Sequence, residues 1–261
     1  KNNMKKKLRV ISIVNQKGGV GKTTTAINLG TALAAIDKNI LLIDLDPQGN
    51  MSTGVGISEK QRLTSVYDLI TSDTTVNKTI LDTKIPNLKI IPSNINLSGI
   101  EFELASDEER SEKLSSKINS LKNIFDLVLI DCPPSLGILT VNSLVASNSV
   151  LVPLQCEFYA LEGLAQLLRT IERVKENLNP QLFLEGVILT MFDRRNRLSE
   201  DVVNDAREHL GEKVFETIIP RNVRLSEAPS HGLPAIIYDQ NCLGSIAYID
   251  LAKELINRLE I

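Results

Sequence analysis

The chain contains 261 residues, of which 43% are hydrophobic, so it can bury a sizeable core and an intrinsically disordered protein is excluded. Its 29 basic and 32 acidic residues give a formal net charge of −3, which argues against a protein that coats nucleic acid over its whole surface but permits a local basic patch. Aromatic residues make up 4% of the chain and tryptophan is absent, so recognition of bases by aromatic stacking is not expected.

The N-terminal residues indicate neither a signal peptide nor a membrane span. Lys5-Lys6-Lys7 precede only a short apolar run, which lacks the length of either. We expect residues 1–7 to form a disordered tail. The three cysteines lie far apart and form no CxxC pair, which indicates reduced thiols in a cytoplasmic protein rather than a zinc or iron–sulfur site.

Short apolar runs alternate with stretches of helical periodicity from end to end. The predicted strands cover residues 8–14, 40–45, 88–91, 125–130, 149–154, 186–191 and 214–219. Several are continuous in Val, Ile and Leu, which is typical of strands buried on both faces. The alternation predicts an α/β fold, a single domain over residues 1–261 with a doubly wound, mostly parallel sheet and helices on both faces.

Three other stretches have helical character. One-sided apolar stripes predict helices over residues 160–178 and 244–259, the second with Ile246, Ile249, Leu255, Ile256 and Leu259 facing inward. The least hydrophobic stretch, residues 106–117, is expected to be the solvated face of a helix.

The segment NQKGGVGKTT, residues 15–24, follows the first predicted strand and opens a helix-like stretch. Backbone N–H groups in such a turn, together with the partial charge of the helix N-terminus, hold a polyphosphate. In this pattern Lys22 contacts the β- and γ-phosphates and the Thr23 hydroxyl ligates Mg²⁺. The strict P-loop pattern has Gly where this chain has Gln16. The alternative interpretation is a glycine-rich turn with two solvated lysines, which the predicted strand before it and the helix after it disfavour. The residues expected to bind ATP here are Gly18, Gly19, Val20, Gly21, Lys22, Thr23 and Thr24.

Two further apolar runs end in aspartates. Asp131 follows FDLVLI, and Asp44 and Asp46 belong to ILLIDLDPQGN. Ligands of open α/β sheets gather at the carboxyl ends of strands, so Asp131 is the expected holder of the magnesium shell through water, the Walker B role. The alternative for each aspartate is a turn residue.

The sequence KGGVGKT resembles the deviant Walker A box of the ParA/MinD class of P-loop ATPases. The resemblance implies that Lys17 extends across a dimer interface to the partner's nucleotide, where its charge can offset charge on the γ-phosphate. It further implies that Asp46 orients the attacking water and contributes to the magnesium shell through water. For Asp44 the same segment leaves two roles open, support of that shell or of the backbone.

Other segments extend the resemblance from Val10 to about Asp239, and DPQGN, DCPPS and PRNVRLSEAPSHG favour the chromosomal ParA (Soj) branch. The match implies that Pro220 and Asn222 frame adenine, since an amide both donates and accepts hydrogen bonds. It implies four catalytic residues: Lys17, Lys22, Asp46 and Asp131.

Three functions remain open at this point. A DNA-partition ATPase requires nonspecific binding of double-stranded DNA by the ATP homodimer, for which the candidate residues are Arg194, Arg195, Arg197, Arg221 and Arg224. A MinD-like membrane-associated ATPase needs a basic amphipathic C-terminal helix, whereas LAKELINRLEI looks like a packed helix. An iron–sulfur carrier of the same class requires paired cysteines, which this chain lacks.

The first function is preferred. The resemblance implies an ATPase that is weak until DNA and a ParB/Spo0J-type centromere-binding partner stimulate it, nucleoid localisation and no membrane binding. Because about seven residues precede the first predicted strand, no N-terminal helix-turn-helix domain is expected.

Overall fold

The computed structural model describes residues 8–122 and 124–260, and the tail predicted for residues 1–7 lies outside them. Within these residues, seven strands form one sheet in the order β3-β4-β2-β5-β1-β6-β7. The strands are β1 (Arg9–Ile13), β2 (Ile40–Asp44), β3 (Leu81–Asp82), β4 (Leu88–Ile91), β5 (Leu127–Asp131), β6 (Ser149–Gln155) and β7 (Phe183–Thr190). Neighbouring strands are parallel except for β3, a two-residue edge strand antiparallel to β4 that the sequence did not predict.

Helices cover both faces of the sheet. The α-helices are α1 (Lys22–Ala34), α2 (Asn50–Gly54), α3 (Val66–Thr71), α4 (Val76–Thr79), α5 (Ile100–Glu103), α6 (Lys113–Ile118), α7 (Ile138–Ala146), α8 (Ala160–Asn177), α9 (Arg197–Leu210), α10 (Val223–Glu227), α11 (Ala235–Tyr238) and α12 (Leu243–Leu259). Short 3₁₀ segments lie at Glu59–Gln61, Ile95–Gly99, Asn119–Leu121, Gly211–Lys213 and Ala228–His231. Apolar residues of α1 and α12 form one core with the sheet, and those of α3, α6, α7, α8 and α9 form the other.

The continuous apolar strands explain this two-sided arrangement. Every residue of β2 and of β5 is buried. Because successive strand side chains point to opposite faces, Ile40 and Leu42 enter the core beneath α1 while Leu41 and Ile43 enter the other. The doubly wound α/β fold is therefore confirmed.

The strand predicted over residues 214–219 is wrong. This segment makes only isolated bridges beside β7, Val187 with Val214 and Phe192 with Pro220. The carboxylate of Glu254 on α12 accepts hydrogen bonds from the N–H groups of Glu216 at 2.9 Å and Thr217 at 3.0 Å. These two amides are thus bonded to a helix side chain instead of a β-ladder, a competition that strand periodicity does not reveal.

Two helix predictions need correction and one is confirmed. The predicted helix 160–178 is α8. Helix α12 matches residues 244–259, but Ile246 is 44% exposed instead of inward, while Tyr248 and Leu251 fill the core beside Leu255 and Leu259. In the stretch 106–117, the helix begins only at Lys113, and the preceding residues form turns.

The Glu254 contact can be tested by Glu254→Ala. We expect the free energy of unfolding to fall by about 1–2 kcal/mol, because two backbone N–H groups lose their acceptor. Urea unfolding followed by circular dichroism measures the change. Asp250→Ala, one turn earlier on α12, removes only an exposed ion pair with Lys253 and should change stability by about 0.5 kcal/mol or less. Equal effects of the two substitutions would contradict this account.

Candidate functional site

The turn between β1 and α1 is built on left-handed glycines. Gly19 has φ of +75° and Gly21 has φ of +93°, a region that favours glycine. Gly21 is the N-cap of α1, and no side chain of residues 8–122 or 124–260 caps this end of the helix. The first backbone N–H groups of a 13-residue helix therefore remain available to an anion.

Lys22 lies inside this turn, with only 7% of its surface exposed. Its Nζ donates to the Lys17 carbonyl oxygen at 2.8 Å, so the ammonium is held at the mouth of the glycine turn. Burial lowers the pKa of Lys22, and the negative charge of Asp131 opposes that shift. An anion placed over the turn would meet a partly desolvated cation.

Asp131, the last residue of β5, is fully buried beside the start of α1. Thr23 Oγ1 donates to Asp131 Oδ2 at 2.6 Å. Asp131 Oδ1 is one of two buried side-chain oxygens that lack a hydrogen-bond partner among the described residues, the other being Ser93 Oγ. Burial raises the pKa of Asp131 well above its usual range, and the charge of Asp44 adds to the effect. A buried carboxylate oxygen with no donor beside a threonine hydroxyl fits a Mg²⁺ ion and its water shell.

The open role of Asp44 is structural in this arrangement. Its Oδ2 accepts from Ser52 N–H at 2.8 Å and from Ser52 Oγ at 2.7 Å, and its Oδ1 accepts from Asp46 N–H at 3.2 Å. Burial raises the pKa of Asp44 to about 6, although the hydrogen bonds from Ser52 oppose the shift. Asp44 thus holds the backbone of the loop that follows β2.

Asp46 lies on that loop at the edge of the glycine turn. Its Oδ1 accepts from Gln48 N–H at 2.9 Å, and its carbonyl oxygen accepts from Gly49 N–H at 2.9 Å, which closes a tight turn. A cleft of about 600 Å³ is shared by the two segments. Its lining includes Gly18, Gly19, Gly21, Lys22, Thr23, Thr24, Asp46 and Pro134.

A smaller cavity of about 130 Å³ adjoins the cleft and is lined by both Pro220 and Asn222. The two spaces share five lining residues: Gly21, Thr24, Met191, Leu225 and Ser226. Asn222 caps α10, because its Oδ1 accepts from Arg224 N–H at 3.0 Å. Its Nδ2 is the part of the amide with no role in that cap.

Sequence reasoning missed several residues of this cavity. Thr190 ends β7, and its hydroxyl donates to the Val20 carbonyl oxygen at 2.8 Å, which ties the strand to the glycine turn. Met191 follows with φ of +53°, a strained conformation for methionine. The carboxyl end of the predicted strand 186–191 was a signal for both, since ligand sites lie at that edge.

The comparisons with known proteins agree with one another. A family model described as an AAA domain matches residues 8–184. The chain is 56% identical over 253 residues to the chromosome partitioning protein ParA of Caulobacter vibrioides (strain NA1000 / CB15N), which covers 96% of this chain and 95% of that protein. It is 50% identical over 247 residues to the sporulation initiation inhibitor protein Soj of Bacillus subtilis (strain 168), which covers 95% and 98%. The chain belongs to the ParA/Soj family.

A solved structure of different name shares the fold of this ParA/Soj family member. Cobyrinic acid a,c-diamide synthase from Mycobacterium smegmatis, with bound ADP and magnesium, superposes with a TM-score of 0.86 at 36% identity. The match covers 97% of this chain and 96% of that chain. The same protein has been solved with an ATP analogue and magnesium. The fold is that of the P-loop nucleotide hydrolases.

The Lys17 side chain of this ParA/Soj family member lies outside the cleft over the glycine turn. Its side chain is 56% exposed and forms an ion pair with Glu157, and it borders a separate pocket with Phe158 and Tyr159. Within one subunit, the structure thus brings Lys22, Thr23, Asp46 and Asp131 together and leaves Lys17 outside.

The five candidate arginines of the ParA/Soj chain fall into two groups. Arg194, Arg195 and Arg221 line one cleft of about 700 Å³ beside the start of α12. Arg195 binds the Asp193 carboxylate through Nε at 3.0 Å and Nη2 at 2.9 Å, which lowers the pKa of Asp193 to about 2. Arg197 begins α9 and is exposed, whereas Arg224 is paired with Glu227 at 2.8 Å and with Asp239 at 3.5 Å.

Over residues 8–122 and 124–260, no helix is both long and apolar enough to cross a lipid bilayer.

The buried Asp131 carboxylate predicts a substitution that stabilises the nucleotide-free protein. Because the folded state raises the pKa of this group, the protonated form stabilises the fold at low pH and that contribution is lost as the pH rises. At pH 7.5, Asp131→Asn should raise the thermal unfolding midpoint by about 3–8 °C, and the gain should shrink toward pH 4. Differential scanning calorimetry over this pH range measures it.

Asp250→Asn, at an exposed position, is the control and should leave the midpoint within about 1 °C. An Asp131→Asn midpoint at or below that of the wild type at pH 7.5 would show that the carboxylate is not a stability cost.

Proposed function

We propose that this protein is an ATP-dependent switch that binds ATP with Mg²⁺, dimerises, holds double-stranded DNA without regard to sequence and is reset by hydrolysis. Residues 8–260 act as one P-loop domain in this proposal. The observation that carries it is the unpartnered Asp131 Oδ1 beside Thr23, at the foot of an uncapped glycine turn. The ATP analogue and magnesium bound by the Mycobacterium smegmatis relative at 36% identity support the same ligands here.

The residues of the cleft would divide the work of binding. The backbone from Gly18 to Thr24 holds the phosphates, and Lys22 leaves the Lys17 carbonyl for the β- and γ-phosphate oxygens. Thr23 Oγ and, through water, Asp131 and Asp46 would hold Mg²⁺. When bound, this ion neutralises charge on the bridging and terminal phosphate oxygens.

Adenine would occupy the small cavity between Pro220 and Asn222. Because Asn222 Oδ1 is committed to the α10 cap, we assign Nδ2 as its donor to a ring nitrogen. Tyr248 and Leu225 supply the apolar walls of the cavity.

Hydrolysis would depend on positioning more than on proton abstraction. Asp46 is only half-buried and faces the cleft, so it can orient a water molecule toward the γ-phosphate. Lys17 does not border its own cleft and is exposed, which suits a residue that reaches the nucleotide of a second subunit. Each nucleotide then becomes part of the subunit interface.

The dimer would hold DNA through arginines that contact phosphates. Arg194, Arg195 and Arg221 share one cleft, and we propose Arg197 and Arg224 as flanking contacts. Family membership supports a role in chromosome or plasmid segregation at the nucleoid, with a ParB/Spo0J-type protein that stimulates hydrolysis.

Size-exclusion chromatography with light scattering tests the switch. With ATP and Mg²⁺ the wild type should elute as a dimer that carries nonspecific duplex DNA, whereas with ADP or no nucleotide it should be a DNA-free monomer. Lys17→Ala should bind ATP yet remain monomeric. Lys22→Ala, the control for binding, should lose ATP affinity about 100-fold, which corresponds to about 3 kcal/mol.

Binding of DNA by the wild type in every nucleotide state would refute the switch. A stable ATP dimer of Lys17→Ala would refute the role of Lys17 across the interface.

The DNA face is tested by the double variant Arg194→Ala/Arg195→Ala, because Arg221 also lines the cavity proposed for adenine. We expect its ATP dimer to form normally but to bind nonspecific duplex DNA at least about tenfold more weakly, with a salt slope reduced by about 2, since two phosphate contacts are lost. Arg173→Ala, an exposed arginine on α8, is the matched control. Fluorescence anisotropy at several salt concentrations measures both quantities. An unchanged slope would place the DNA face elsewhere.

A further inference from the structure

Arg62 is a buried arginine outside every residue set considered so far. Only 7% of its surface is exposed. Its Nε and Nη2 donate to the Ile57 carbonyl oxygen at 3.2 and 2.6 Å, Nη2 also donates to Thr53 Oγ1 at 2.7 Å, and Nη1 donates to the Gly49 carbonyl oxygen at 3.3 Å. One guanidinium therefore joins Gly49 before α2, Thr53 inside α2 and Ile57 after it.

The guanidinium also lies against the backbone of the turn that carries Asp46. Gly49 has φ of +63°, and a Cβ atom added there would lie 2.4 Å from Arg62 Nη1 and 3.4 Å from the Ser93 carbonyl oxygen. Glycine is thus required at this position both by backbone conformation and by the space that Arg62 fills. Gly49 N–H in turn donates to the Asp46 carbonyl oxygen at 2.9 Å.

The same loop is held on its other side by Asp44, through Asp46 N–H and Ser52. The loop that Asp44 and Arg62 fix by hydrogen bonds contains four residues that line the phosphate cleft: Asp46, Gln48, Asn50 and Thr53. Burial lowers the pKa of Arg62, and the negative charges of Asp44 and Glu59 oppose the shift. Burial of a guanidinium is costly unless its donors are satisfied, and here they are satisfied by loop acceptors.

We propose that Arg62 is a positioning residue for ATP hydrolysis, whose guanidinium fixes residues 46–57 so that Asp46 faces the γ-phosphate. The proposal deepens the function proposed above and rests on it. Arg62 would not touch the nucleotide, because it does not line either space of the site. Its action is on the geometry of Asp46, so it should affect turnover more than ATP affinity.

The planar guanidinium of Arg62 suits this position because its nitrogen atoms donate in several directions at once. Arg62 reaches three acceptors from three nitrogen atoms, whereas a lysine offers one nitrogen that cannot reach Gly49, Thr53 and Ile57 together. Arg62→Lys keeps the charge and removes the fork, which makes it the informative variant.

The test compares Arg62→Lys with Arg110→Lys. Arg110 is an exposed arginine whose Nη1 also donates to a backbone carbonyl, that of Ala105 at 3.1 Å, away from the site. We expect Arg62→Lys to lower kcat for ATP at least about tenfold with KM changed less than about threefold, as for a lost alignment of catalytic groups. Arg110→Lys should match the wild type.

Two readouts separate positioning from a merely structural role. In the nucleotide-free protein, hydrogen exchange of the peptide that covers residues 46–57 should accelerate at least about tenfold in Arg62→Lys, while exchange in α1 stays unchanged. In Arg62→Ala, millimolar guanidinium should restore turnover, and it should leave Arg110→Ala unaffected. If Arg62→Lys does not fold, Arg62→Gln provides the same comparison, since its shorter amide side chain cannot reach Gly49, Thr53 and Ile57 together.

A kcat of Arg62→Lys equal to that of Arg110→Lys, or unchanged exchange over residues 46–57, would overturn the proposal. So would a parallel loss of kcat and ATP affinity that guanidinium does not restore. A wild-type chain that hydrolyses no ATP would overturn the proposed function itself, and that outcome is visible without any variant.

Discussion

Two carboxylates lie side by side at the end of the sheet, and the architecture of the site depends on them. Asp44 and Asp131 are register partners at the last position of β2 and β5. Both are buried, and the charge of Asp44 raises the cost of ionising Asp131 through like-charge repulsion. The molecule resolves the conflict by giving them different partners: Asp44 is satisfied by the backbone of one loop, and Asp131 keeps one oxygen free beside Thr23. One carboxylate thereby builds the site and the other remains available to a cation.

Around this pair, hydrogen bonds fix the loops that shape the site, whereas some groups that face the ligand lack them within the part of the chain that the structure describes. The loop after β2 is held from Asp44 on one side and from Arg62 on the other, although it is a short segment at the surface of the sheet edge. The glycine turn is tied to β7 through Thr190 and Val20. In contrast, among the described residues no side chain caps the N-terminus of α1, and no group donates a hydrogen bond to Asp131 Oδ1. Such a site is preorganised where it must be shaped and unsatisfied where it must bind.

The sequence predicted the parts whose cause is local. Continuous Val, Ile and Leu runs identified β2, β5 and the two-faced sheet, and the glycine spacing placed Lys22 and Thr23. It failed where a distant side chain decides the outcome. The amides of Glu216 and Thr217 donate hydrogen bonds to Glu254, which lies far along the chain. No pattern within residues 214–219 indicates this partner. Likewise no sequence pattern singles out Arg62, because its acceptors on Gly49, Thr53 and Ile57 come within reach only in the folded loop.

The ion pair between Lys17 and Glu157 has a kinetic consequence. Both side chains are partly exposed to water, so the pair is worth about 1 kcal/mol or less and exchanges within nanoseconds. In a single subunit, Glu157 can therefore partly neutralise the Lys17 ammonium and still release it rapidly. If Lys17 serves a second subunit, its departure cannot be the slow step of association, and the rate at which subunits meet should instead follow how many of them carry a nucleotide.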